Sequence, residues 1–196
     1  MLGFNALGTA ALAAGHYDVR ISDLKRRADL SVSSLVIPER PTDEGVLVQS
    51  TSLVWMELVD HLGEDWSAVF QLTPPQLEEL VAGAFKKAGY DEVTLTPRSG
   101  DHGRDVIAKK KGVGCIKIIN SVKAYHPGNL VDYDAIRALL GVMTGERDTS
   151  KGMITTTSDF PPNLRADPFI APFLPTRLEL MNGEGLRRWL AELARN

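Results

Sequence analysis

Asp105, Ser121 and Lys123 have types and spacing that could do chemistry. Side chains two apart on a strand point to the same face, so Ser121 and Lys123 would project together, and a hairpin would set Asp105 beside them across the pairing. An acidic residue on one strand, next to a polar residue and a lysine two apart on its neighbour, is a recurrent arrangement for metal-assisted phosphodiester cleavage. A carboxylate there can hold Mg²⁺, which polarises a phosphate and lowers the pKa of a bound water. The lysine can position that water or steady the developing negative charge.

This arrangement needs a hairpin held in place by helices, and the pattern from Gln71 onward predicts both. Thr73 is a candidate N-cap before Pro74-Pro75, which suit a first helical turn. Leu77, Leu80, Val81, Ala84 and Phe85 then form an apolar stripe with Glu78 and Glu79 beside it, and Gly89 supplies the stop. Glu92–Pro97 alternates as a strand, Arg98–Gly103 is a turn by composition, and Asp105–Ala108 is a second strand. Cys115–Lys123 has the β-branched centre of a third, central strand. A helix over Val131–Met143, a strand over Gly152–Thr157, a proline-rich irregular stretch, a short strand over Arg177–Met181 and a terminal helix from Gly183 to Arg195 complete the order. Upstream, Pro38–Gly45 reads as a loop or linker, and Leu53, Val54, Met56, Leu58, Val59 and Leu62 suit a short buried helix. Residues 1–70 are expected to be a separate small module and residues 71–196 the main domain.

Composition narrows the class. With 196 residues, 43% apolar and 24% charged, the chain has the make-up of an ordinary globular protein. Its single cysteine, Cys115, excludes an internal disulfide framework or a zinc site of several thiolates and suits a reducing cytoplasm. Cys115 itself reads as a small buried apolar residue. The apolar start, Leu2–Gly15, lacks the positive flank and length that export or membrane spanning requires, so no membrane partner is expected. Net charge is -3, but residues 1–70 hold 5 basic against 10 acidic side chains and residues 71–196 hold 17 against 15. The C-terminal part is therefore the one suited to approach phosphates, with Lys109-Lys110-Lys111 its only dense basic run; the plain alternative for that run is a solvated hairpin tip.

Residues 71–190 resemble the Mrr-like restriction endonuclease family of the PD-(D/E)xK nuclease superfamily. The likeness runs through Leu72–Val81, Gly89-Tyr90, Ser99-Gly100-Asp101-His102-Gly103-Arg104-Asp105-Val106-Ile107-Ala108, Val122-Lys123-Ala124-Tyr125, Val131–Gly141 and Lys151–Thr157, in the family's order and spacing. The resemblance implies an α/β fold with a restriction-endonuclease-like mixed central sheet flanked by helices, to which this chain adds its small N-terminal module. It implies a cytoplasmic DNA endonuclease that uses Mg²⁺, or Mn²⁺ in its place, often in defence against foreign or modified DNA. Asp105 takes the place of the metal-binding aspartate, Lys123 that of the catalytic lysine, and Glu78 that of the acidic residue on the first helix, a second metal or water ligand. Ser121 departs from the pattern, since the family usually has Glu or Gln there and a serine hydroxyl is shorter and neutral. His102 stands where the family often has glycine.

Tyr125 and His126 follow the lysine and could contact DNA; packing and loop roles are the plain alternatives. Glu79 lies about 100° around the helix from Glu78 and cannot easily share its target. Trp55, Trp66 and Trp189 read as core aromatics. Two functions stay open from the residues: a metal-dependent endonuclease, or a catalytically weakened module that binds DNA or a protein because of Ser121. The acidic N-terminal part could serve assembly with a second copy or a protein partner.

Overall fold

The structure is a computed structural model that describes residues 34–97 and 103–195. Val36–Thr42 (β1) and Gly45–Thr51 (β2) make an antiparallel hairpin, followed by Leu53–Glu64 (α1), a 3-10 segment Trp66–Gln71, and Pro74–Lys87 (α2). Glu92–Leu95 (β3), Val106–Lys110 (β4) and Ile116–Lys123 (β5) continue to Tyr133–Gly145 (α3) and Lys151–Thr156 (β6). Short 3-10 turns at Leu164–Ala166 and Ala171–Phe173 lead to Leu178–Met181 (β7) and Gly183–Ala194 (α4). The seven strands form one mixed sheet in chain order, antiparallel from β1 to β5 and parallel from β5 to β7. Among the described residues no helix is long and apolar enough to cross a membrane.

The start of α2 is built from its sequence. Gln76 Oε1 accepts from both the N–H and the hydroxyl of Thr73 at 2.9 Å, and Pro74 occupies a position whose amide has no helical partner in any case. Leu77, Leu80, Val81 and Ala84 are fully buried against β2–β5, and Gly89 ends the helix at φ +83°. Helix α4 packs on β6 and β7 and touches α1 and α2. A second core joins Ile136, Leu139 and Met143 of α3 to Ile107, Ile119, Ile154, Leu178 and Leu180 of the sheet, and includes no residue of the other helices. Alternation therefore gives β5 two buried faces, as a central strand requires.

Three expectations are corrected. Pro38–Gly45 is no linker: most of it is the edge strand β1, whose prolines are tolerated because an edge strand has one side free of ladder hydrogen bonds. Its partner β2 pairs Val46 with Leu95 and Leu47 with Thr94 of β3, so residues 36–51 extend the same sheet and the expected division at residue 70 separates no packed units there. Cys115 is exposed, because it sits in the turn before β5 rather than within the strand. The helix expected around Leu53–Leu62 is present, with Trp55, Leu58, Val59 and Leu62 buried.

Candidate active site

Asp105 stands immediately before β4, and four backbone contacts fix it. Gly103 turns the chain at φ +78°, a conformation that favours glycine. Thr96 Oγ1 then donates to the Arg104 carbonyl, Thr96 N–H donates to the Asp105 carbonyl at 3.1 Å, and Asp105 N–H donates to the Asn120 carbonyl at 2.9 Å. The carboxylate itself accepts the Val122 N–H on Oδ2 at 2.6 Å. The Asp105 side chain is thus docked on β5 between Ser121 and Lys123, at the point where the β4–β5 ladder ends.

On β5, Ser121 pairs with Ile154 and Lys123 with Thr156 of β6, which puts Ser121 and Lys123 on the face that carries the α3 core. Ser121 is buried and Lys123 half-buried. The Lys123 carbonyl accepts from Tyr125 N–H at 3.1 Å, Thr157 N–H at 3.2 Å and Thr156 Oγ1 at 3.0 Å, so the backbone that carries the ammonium is rigid. Glu78 is half-buried on α2, the helix that packs on β4 and β5. Its neighbour Glu79 does different work: its Oε2 accepts from Leu35 N–H at 2.6 Å and Ser34 Oγ at 2.9 Å, tying the chain before β1 to α2.

The remaining candidates are spread out. Lys109, Lys110 and Lys111 lie toward the far end of β4 from Asp105 and pair with Glu44, Asp91 and Glu92 at 2.7, 3.8 and 2.6 Å. The Lys111 ion pair holds the Glu92 carboxyl below its usual range. Tyr125 packs against the α3 core, and its amide and carbonyl both engage Thr157 Oγ1. His126 is exposed and stacks on Phe70, ring centroids 5.9 Å apart, a pairing across 56 residues that no local pattern reveals. His102 lies outside the described residues. Sequence reading also missed Asn120, fully buried beneath the site, which donates from Nδ2 to Thr155 Oγ1 at 2.9 Å; the only trace it left was a polar residue in an apolar run.

Among the described residues no group of three or more His, Cys, Asp or Glu side chains could hold a metal. Mg²⁺ does not need one, since it commonly keeps several waters and takes one or two carboxylates plus a substrate phosphate. Asp105, with Oδ2 committed to Val122 and its carboxylate fixed in place, suits such a sparse site.

Residues 69–190 match a family model, Mrr_cat, described as restriction endonuclease. Two solved structures are similar: the MspJI restriction endonuclease in complex with a 27-mer oligonucleotide, at 16% identity and TM-score 0.44, and the DNA modification-dependent restriction endonuclease AspBHI, at 17% and 0.47. The similarity covers 69% and 83% of this chain and only 30% and 40% of those longer chains. Among curated proteins none matches.

Proposed function

The chain belongs to the Mrr_cat restriction endonuclease family, and from that premise we propose that it is a divalent-metal-dependent DNA endonuclease of the cytoplasm, acting against foreign or modified DNA. The observation that carries this reading is the docking of the Asp105 carboxylate on the Val122 N–H, beside Lys123, within the matched segment. Asp105 and Glu78 would hold Mg²⁺ or Mn²⁺, which when bound polarises the scissile phosphate and acidifies a water. Asp105 needs no reorganisation to act as a ligand, because its rotamer is already held by a backbone amide. The Lys123 ammonium offers three N–H donors, enough to orient the attacking water and to bind a phosphate oxygen as negative charge builds on it. Water is excluded from the buried side of this site by the packing of Ile119, Ser121 and Ile154, so the Lys123 charge is less screened than on an open surface.

A second reading, a weakened member that binds DNA or a partner without cutting, is favoured by Ser121. Its neutral hydroxyl is buried next to Asp105 and cannot supply the negative charge of a longer carboxylate. One experiment addresses both. Plasmid nicking is followed for the wild type, Asp105→Asn, Lys123→Ala and Ser121→Glu, each confirmed folded by circular dichroism, in Mg²⁺, in Mn²⁺ and with chelator. Metal-dependent nicking that falls about 100-fold or more in Asp105→Asn and Lys123→Ala is the expected outcome. Full cleavage by either variant overturns the endonuclease assignment of these residues. An inert wild type with an active Ser121→Glu supports the second reading.

A further inference from the structure

Lys117 is only 7% exposed although it carries a charge in a central strand, and lysines are rarely so buried without partners. Its Nζ donates to Glu44 Oε1 at 3.3 Å, Glu146 Oε2 at 3.0 Å and Asp148 Oδ2 at 3.1 Å, carboxylates drawn from the β1–β2 turn, the C-terminal cap of α3 and the loop before β6. Each of the two glutamates also uses its second oxygen. Glu44 Oε2 accepts from Lys109 at 2.7 Å, and Glu146 Oε1 accepts from Arg104 Nη1. Three cations and three carboxylates are thus linked in one chain of ion pairs, and the side chains of Arg104 and Glu146 in it are 15% and 23% exposed.

One end of that chain is the residue before Asp105. Arg104 is held at its backbone, where the carbonyl accepts Thr96 Oγ1, and at its side chain by Glu146, which Lys117 and the α3 cap hold in turn. A residue pinned at both ends leaves its neighbour little freedom, and that neighbour carries the carboxylate docked 2.6 Å from the Val122 amide. Securing α3 to the sheet does not require a bond to this position, because the apolar core already joins Ile136, Leu139 and Met143 to β4, β5 and β6. We propose that Arg104, Glu146 and Lys117 are positioning residues that set the Asp105 carboxylate against the Val122 amide and beside Lys123. The catalytic consequence rests on the endonuclease reading; the geometric one does not.

The test uses the full chain and two readouts. Backbone amide exchange of Val122, followed by NMR without metal or DNA and compared with Ile154 in β6, reports the Asp105 dock directly. The Mg²⁺ concentration for half-maximal nicking, separated from the maximal rate, reports its use. Glu146→Gln and Arg104→Gln are expected to speed exchange at Val122 relative to Ile154 and to raise the half-maximal Mg²⁺ by about 10-fold, the usual size of an effect through a ligand's supporting partner. Arg104→Lys, which keeps the charge, is expected to retain both. If Glu146→Gln fails to fold, the Arg104 pair still decides, since it leaves the Glu146 bond to Lys117 intact. Val122 exchange at the wild-type rate, or an equal rise at Val122 and Ile154, overturns the proposal. A wild type that cuts nothing removes the endonuclease reading, and the exchange comparison alone then decides whether these residues position Asp105.

Discussion

A carboxylate that accepts a backbone N–H is held in one rotamer, and the use made of that fixing depends on what surrounds it. Asp105 offers its oxygen to Val122 at the end of a ladder, one residue before Lys123 on β5, where a fixed negative charge can bind a cation. Glu79 offers its oxygen to Leu35, a residue 5% exposed, where the same bond serves only to close the fold. Glu79→Ala leaves the Leu35 amide without that acceptor in a covered position, a loss of about 1–3 kcal/mol. Thermal denaturation should show a lower Tm for Glu79→Ala, with nicking per folded molecule unchanged. An unshifted Tm would mean that water replaces the carboxylate and that the chain before β1 is not anchored there. The adjacent positions 78 and 79 thus separate a candidate chemical role from a structural one by the roughly 100° step of the helix, a distinction already present in the sequence.

At the scale of elements, legibility followed the range of the interactions. From α2 to α4 the signals are local: Leu77–Phe85 carries apolar residues at helical spacing, and Ile116–Lys123 has the β-branched centre of a strand buried on both faces. The β1–β2 hairpin does not, because β1 exposes nearly every residue and contains two prolines that only an edge strand admits. The Lys117 network was illegible for a stronger reason: its partners lie 29, 31 and 73 residues away. The contact of α1 with α2 was equally hidden. Trp55 donates its Nε1–H to the Leu80 carbonyl at 2.9 Å, and a Cβ on Gly83 would stand 2.2 Å from that Nε1. Helix propensity alone says that Gly83→Ala stabilises by up to about 1 kcal/mol. The indole ring reverses the sign, because overpacking a filled core costs about 1–3 kcal/mol and here also breaks a buried hydrogen bond. Denaturant unfolding should therefore place Gly83→Ala below the wild type, and a stabilised variant would show that α1 yields freely.

Across the whole molecule, the ion pairs around Lys117 join the β1–β2 turn, β4, β5 and the end of α3, so the pH dependence of stability reads out how these parts are held together. Burial pushes the Glu44 carboxyl up, but the hydrogen bonds and charges of Lys109 and Lys117 outweigh it and hold the group below its ordinary 4.5. The Lys117 hydrogen bond holds Asp148 below 3.8. Burial pushes the Lys117 ammonium down, and the bonds to Glu146 and Asp148 with the charges of Glu146 and Glu44 overcome this and hold it above 10.5. Carboxyls depressed by folding contribute stability above their unfolded values and lose it as pH falls through the folded ones, so this network weakens below about pH 4.5. An ammonium raised by folding contributes below 10.5 and loses its share as pH rises further. Asp148, with 70% of its side chain exposed, adds little to either limb, and Glu44 carries most of the acid one. Lys117→Met keeps the bulk of the side chain and removes its charge, which takes from Glu44 one of the two cations that depress it. The acid limb of a Tm against pH curve should then flatten between about pH 5 and pH 3, while the variant's Tm at neutral pH falls through the loss of the charged hydrogen bonds to the half-buried Glu44 and Glu146, each worth about 1.5–3 kcal/mol where water is excluded. A parallel curve, lowered at every pH by the same amount, would assign the loss to packing and leave the network without a share in the acid stability.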